Sequence, residues 1–203
     1  MAVLIFPGLG GSGEGHWQWH WAREIPGAVT VEQSDWAKPD PDVWAATAFA
    51  AIRAHPGSVL VGHSLGAVLI AKLSEQHRDL PVEAALLVAP ADVEVSVRDH
   101  ETIRGFGPMP TLPLGFPAMV IASRNDPYMR FERARSFAAM WEAQLIDLGL
   151  AGHVNVEAGY GPWREGRLLI DRVAGRRTRP FLISSGPGRV PVAKSTTVRG
   201  AGR

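Results

Sequence analysis

The sequence contains no cysteine among its 203 residues, which excludes disulfides, thiolate metal sites and a cysteine nucleophile. No apolar run approaches the roughly 20 residues that a helix needs to cross a bilayer, so no membrane span is predicted. The His-Glu-x-x-His zinc pattern is absent. His16 and His20 lie four apart with Glu14 nearby, but without that pattern no metal site is expected. No internal repeat is visible. The apolar opening, Met1 to Phe6, lacks a basic leader and runs directly into Pro7-Gly8-Leu9-Gly10-Gly11, which predicts a first core strand rather than a secretory signal. With the missing cysteines, that makes a cytoplasmic location the expectation.

Acidic residues are missing from one region only. Arg176 to Arg203 holds seven of the 21 Lys and Arg residues and none of the 20 acidic ones, so a net charge of +1 conceals a body at −6. This tail is dominated by Arg, Gly, Pro, Ser and Thr and is expected to be appended and flexible, with only Pro180 to Ile183 able to pack. Charge alone would let it approach nucleic acid or an anionic membrane. It lacks the interleaved aromatics of a nucleic-acid surface apart from Phe181, and neither partner is expected. Residues 1–175 are expected to form one catalytic domain, long enough for a substantial core. A composition of 46% hydrophobic and 20% charged residues is that of an ordinary globular protein.

What is present is an alternation of two patterns. Strand-like apolar runs occur at Val3 to Phe6, Val29 to Glu32, Val59 to Val61, Ala84 to Val88, Ala118 to Ala122 and Gln144 to Leu148. Helical spacing occurs at His16 to Glu24, Pro41 to Ala54, Leu65 to Gln76, Arg130 to Glu142 and Glu165 to Val173. Strands alternating with helices predict an α/β fold, a three-layer α/β/α sandwich with a mostly parallel sheet of about six strands. No segment is long enough for a cap domain. Gly105 to Pro117, rich in Pro and Gly, reads as a long loop near the site.

Val59 to Ala67 is an apolar run that passes through Gly62-His63-Ser64-Leu65-Gly66 and resumes as an apolar helix. The bare Gly-x-Ser-x-Gly pattern is only moderately specific, but strand, sharp turn and helix are the context in which its serine projects from a sheet edge. Ser64 is the candidate nucleophile. A serine hydroxyl needs a base, and the base needs a partner that fixes its tautomer. Among His16, His20, His55, His63, His77, His100 and His153, only His153 follows the final strand at that same edge. His63 would point away from the hydroxyl. Asp126, just beyond the fifth strand, gives the order Ser, acid, His of such folds; Asp92, also after a strand, is the alternative. The backbone N–H groups of Leu65 and of Leu9, or of Gly10 in its place, are the candidate oxyanion donors. Trp17 and Trp21 share a helical face and are expected to pack, with a cleft wall as the other use of Trp17.

With these residues in order, the chain resembles the small, lidless retinoblastoma-binding-protein-type (YdeN-like) serine hydrolases of the α/β-hydrolase superfamily. The stretches that carry the likeness are Pro7-Gly8 through Gly13, His16-Trp17-Gln18, Trp21, Asp35-Trp36, Gly62 to Gly66, Ser123 with Asn125-Asp126-Pro127-Tyr128, Gly152-His153-Val154-Asn155 and Gly159 to Trp163. The resemblance implies Ser64, Asp126 and His153 as the triad, with Gly8, Gly10, His16 and Trp17 at the substrate. Arg164 departs from the family's usual proline, and the tail has no counterpart. Without cysteine, a Leu-x-Cys-x-Glu retinoblastoma-binding motif is excluded.

The expected activity is hydrolysis of carboxylic esters, or amides, of small substrates through an acyl-enzyme, with no cofactor; the oligomeric state is not legible in the sequence. The competing class is a catalytically weak scaffold that keeps the fold and binds a protein. An open, shallow cleft would suit short acyl groups. Phe106, Met109, Leu112, Leu114 and Phe116 are candidates for an apolar wall or for inward packing.

Overall fold

The computed structural model describes residues 2–95 and 101–175. The basic tail, with its Pro180 to Ile183 segment, and His100 lie outside the described residues. Among these, six strands form one parallel sheet: β1 (Val3–Phe6), β2 (Ala28–Thr30), β3 (Ser58–His63), β4 (Val82–Val88), β5 (Ala118–Ala122) and β6 (Gln144–Asp147), in the order β2-β1-β3-β4-β5-β6. Five helices accompany them: α1 (Trp17–Glu24), α2 (Pro41–Ala54), α3 (Leu65–Gln76), α4 (Phe131–Met140) and α5 (Arg164–Val173).

The unbroken apolar runs of the central strands follow from covering the sheet on both faces. Leu4, Phe6, Leu60, Ala85, Leu87 and Val120 point to one side, where α2, α3 and α4 pack. Their neighbours in the chain, Val3, Ile5, Val59, Val61, Leu86 and Ile121, point to the other, against α1 and α5. Each of these Val, Leu, Ile and Phe side chains, fully buried, contributes roughly 1.5–3 kcal/mol. The chain leaves β1 for the β2 edge, returns to β3, and then builds outward in the opposite direction. The crevice of such a sheet opens at that reversal, between the carboxyl ends of β1 and β3.

Element ends differ from expectation for local reasons. His16 is the N-cap of α1 rather than its first residue, its ring accepting the Gln18 N–H at 3.2 Å. The helix expected to reach Glu142 stops at Met140. Glu142 turns left-handed (φ 54°), and the N–H groups of Glu142 and Ala143 bond back to Ala139 and Ala138, a Schellman closure made without its usual glycine. β2 pairs at Ala28–Thr30 rather than Val29 to Glu32, although the Val31 N–H still reaches the Ile5 carbonyl at 2.8 Å.

The segment 105–117 packs inward. Phe106, Met109 and Leu114 are buried in the core, and Phe106 meets Trp44 edge-on with ring centroids 5.6 Å apart. Glu75 on α3 accepts from the Thr111 and Leu112 N–H groups, and the indole N–H of Trp141, the C-cap of α4, donates to the Pro110 carbonyl, so the segment is strapped down from two sides. Leu112 is exposed. A short 3-10 turn, Glu101–Phe106, leads into it and includes its first two residues.

Candidate active site

Ser64 is the single residue between β3 and α3. Its backbone lies at φ 53°, ψ −120°, a conformation that costs a non-glycine residue of order 1–3 kcal/mol. A serine at a helix N-cap ordinarily bonds back to the helix, but here it makes no such bond, and its hydroxyl projects away from α3. Two glycines give the turn its room. A Cβ on Gly8 would stand 2.8 Å from that of Ser64, and one on Gly66 would overlap the Phe6 carbonyl oxygen. Gln18 ties the splayed strand ends together: its amide donates to the carbonyls of Phe6 (3.1 Å) and Val61 (3.3 Å) and accepts from the Ser12 hydroxyl (2.7 Å).

The structure brings Ser64, His153 and Asp126 into one chain of hydrogen bonds. His153 Nδ1 lies 2.9 and 3.0 Å from the two Asp126 oxygens, and His153 Nε2 lies 2.9 Å from Ser64 Oγ. An N–H directed at the carboxylate leaves Nε2 bare to accept the serine proton. Asp92 has another partner. It is buried against the Arg133 guanidinium, which also reaches Glu94 at 2.7 Å, and it does not contact His153.

The two loops that carry Asp126 and His153 are fastened to each other. Ser123 Oγ accepts the Ala151 N–H (2.9 Å), Asn125 Oδ1 accepts the Gly152 N–H (2.8 Å), and the Arg124 N–H donates to the Gly149 carbonyl (2.7 Å). Arg124 also pairs with Asp147 at the end of β6 at 2.6 Å, which lowers the Asp147 pKa through that bond.

Three imidazoles cluster beside the serine, with ring centroids 5.0 Å apart for His16 and His63 and 4.9 Å for His63 and His153. Burial first, and then the field of His153, lowers the pKa of His16 to about 4. Burial, then His153 and His16, push His63 well below the ordinary imidazole range, against the raising effect of its bond to the His153 carbonyl. Both rings are neutral at physiological pH. Among the described residues no group of His, Asp or Glu is arranged to hold a metal.

A cavity of about 370 Å³ opens over Ser64, lined by Gly8, Leu9, Gly11, His16, His63, Leu65 and His153 on the loop side. Ala91, Ile103, Tyr128, Asn155, Val156 and Glu157 complete the wall. Leu9 and Leu65 each present a backbone N–H that no described group accepts. The Gly10 N–H instead donates to the Trp36 carbonyl at 2.8 Å, and Gly10 is exposed and does not line the cavity. Trp17 does not line it either: it is fully buried behind the wall, and its indole N–H donates to the Val154 carbonyl at 2.8 Å. Tyr128 packs edge-on to His153 with centroids 4.5 Å apart. Ala91 follows β4 and was discoverable from the strand-end rule, whereas nothing local marks Ile103.

The serine hydrolase family model matches residues 3–172. A solved structure described as a YdeN-like hydrolase, from Pectobacterium atrosepticum, is 34% identical, with 86% of this chain and 89% of that one covered and a TM-score of 0.72. The ydeN gene product of B. subtilis is 20% identical over 86% and 99% of the two chains, with a TM-score of 0.70. Esterase 2 of Thermogutta terrifontis shares the fold at 18% identity, over 84% and 80% of the chains, with a TM-score of 0.62. No curated protein matches the sequence. Within the described residues no helix is long and apolar enough to cross a membrane. From β1 into α5, in both sequence and backbone path, this chain belongs to the serine hydrolase family.

Proposed function

We propose that the protein hydrolyses carboxylic esters of small molecules, with amides as a second class of the same acyl chemistry, through an acyl-enzyme on Ser64. One observation carries this reading: a single imidazole, His153, bonds Ser64 Oγ through one ring nitrogen and both Asp126 oxygens through the other.

Ser64 Oγ attacks the carbonyl carbon while His153 Nε2 takes the serine proton. The charge that develops on the carbonyl oxygen is held by the Leu9 and Leu65 N–H groups, each such donor supplying about 3 kcal/mol of barrier lowering. As the intermediate collapses, the bond to the leaving oxygen breaks and the alcohol departs with the proton from His153. Water then attacks the acyl carbon, His153 accepts a water proton, and the carboxylic acid leaves as Ser64 regains its hydrogen. Asp126 keeps the Nδ1 proton in place and stabilises the transient imidazolium. The apolar side of the cavity, formed by Leu9, Leu65, Ala91, Ile103 and Val156, suits a short acyl group.

The test is intact mass after treatment with a fluorophosphonate, alongside Ser64→Ala. The esterase of T. terrifontis, which shares the fold, was solved phosphonylated by cyclosarin, which makes an organophosphorus probe a fitting choice. A single adduct on the wild type and none on Ser64→Ala is expected. A folded wild type that takes no adduct overturns the mechanism and favours the scaffold alternative.

A further inference from the structure

We propose that His63 is a positioning residue for the reaction, holding the main chain of His153 against the nucleophile strand so that one imidazole reaches both Ser64 and Asp126. The inference rests on the hydrolase reading above. Its structural basis is a buried hydrogen bond that spans 90 residues of chain: His63 Nε2–H donates to the His153 carbonyl at 2.9 Å. The next carbonyl, that of Val154, accepts the Trp17 indole N–H at 2.8 Å. Two successive peptides of the base loop are thus each gripped by a buried side-chain donor from across the cleft.

Val154 explains why the grip matters. It is β-branched, yet its backbone lies at φ 51°, in the region that such residues avoid. A loop free to relax at Val154 would rotate the peptide that follows His153 and carry the ring away from Ser64. On the other side of His153, residues 149–152 are bonded to Ser123, Arg124 and Asn125, which holds the two loops together but leaves the His153 peptide, and with it the direction of the ring, unfixed. His63 closes that gap. It is adjacent to Ser64, so the distance from nucleophile to base carbonyl is set by one residue of strand and one hydrogen bond.

The bond also fixes the state of His63. A carbonyl partner demands the proton on Nε2, and burial beside two other imidazoles keeps the ring neutral. No second cation then stands beside His153 when it takes the serine proton.

The experiment compares His63→Leu, His63→Gln and His63→Asn in turnover of p-nitrophenyl acetate. The glutamine amide nitrogen occupies the place of Nε2, the asparagine nitrogen that of Nδ1, and leucine offers no donor. An ångström of misplacement lowers kcat by about 100-fold, so His63→Leu is expected to lose about that much, with KM nearly unchanged. His63→Gln is expected to recover most of the loss and His63→Asn little of it. Equal kcat in the Gln and Asn variants, or wild-type kcat in His63→Leu, overturns the proposal. If His63→Leu does not fold, the Gln and Asn pair decides alone.

A second readout separates this inference from the reading beneath it. The low-field proton resonance of His153 Nδ1–H is expected in Ser64→Ala, retained when His63→Gln is added and lost with His63→Asn. A wild type that neither turns over esters nor takes a fluorophosphonate overturns the hydrolase reading, while those resonances still judge the tether. Labelling that is normal in the wild type and equally fast in the Asn variant overturns the tether alone.

Discussion

Protonating His16 destabilises the fold, and the cost is large enough to measure. Its Nδ1 accepts the Gln18 N–H that caps α1, the residue is 8% exposed, and burial followed by the field of His153 takes its pKa from the ordinary 6.5 to about 4. The unfolded chain therefore binds this proton more readily than the folded one. Above pH 6.5 the residue contributes no pH dependence. As pH falls from 6.5 toward 4 stability is lost, and below 4 the loss levels off. At about 1.4 kcal/mol per pH unit, the gap from 6.5 to 4 amounts to about 3 kcal/mol, a substantial part of the 5–15 kcal/mol of an ordinary domain. Urea unfolding between pH 8 and pH 4 on the wild type and on His16→Asn measures it. Asparagine is a strong N-cap and offers an amide oxygen to the Gln18 N–H but does not titrate. The wild type is expected to lose about 3 kcal/mol more than the variant between pH 7 and pH 4. Carboxylates titrate in both proteins and cancel in the difference; the depression of His63 comes chiefly from burial and then from His153, both kept in the variant, and only its smaller part from His16 is lost. Parallel stability curves would refute the assignment.

Asp126→Asn is expected to lower kcat by about 10⁴-fold while leaving the fold intact, because an amide facing Nδ1 favours the wrong tautomer of His153; kcat within tenfold of the wild type in steady-state ester assays refutes the role. Arg133→Met strands the buried Asp92 carboxylate and is expected to cost about 3 kcal/mol in urea unfolding, with ester turnover of the folded protein unchanged. An unaltered urea midpoint, or lost turnover in folded protein, argues against that separation of stability from chemistry. Across p-nitrophenyl esters, acetyl and butyryl substrates are expected to exceed decanoyl in kcat/KM; the reverse order would mean that the cavity over Ser64 is not the acyl site.

Much of the fold was legible because its strands are buried on both faces. Runs such as Val59-Leu60-Val61 and Ala118 to Ala122 leave no polar face for solvent, and that burial pattern belongs to a parallel sheet under two helical layers. Ends were less legible wherever a side chain or an unusual backbone angle took over from composition. The Schellman closure at Glu142 has no glycine to announce it, and the histidine cap of α1 resembles a helical residue. The Pro- and Gly-rich stretch 105–117 reads as a loop, yet its Phe106, Met109 and Leu114 complete the core, because straps from Glu75 and Trp141 supply what its own backbone pattern does not.

Within the site, what could be read was what lies at a strand end: Ser64, Asp126 and His153 each follow a strand, and the sheet brings those ends to one edge. The choice between Leu9 and Gly10 as a free amide could not be read, since it depends on the Trp36 carbonyl 26 residues away accepting the Gly10 N–H. The same limit applies to everything that holds the base. Bonds from His63 and Trp17 to carbonyls of the 153–154 loop span 90 and 137 residues and are made to backbone, which carries no residue signature. Yet Ser64 and Val154, a serine and a valine at positive φ, persist only if their surroundings over-determine them. The motif names the proposed reacting groups, while the unfavourable backbone angles on either side of the Ser64 to His153 bond identify the stretches that distant donors must hold in place.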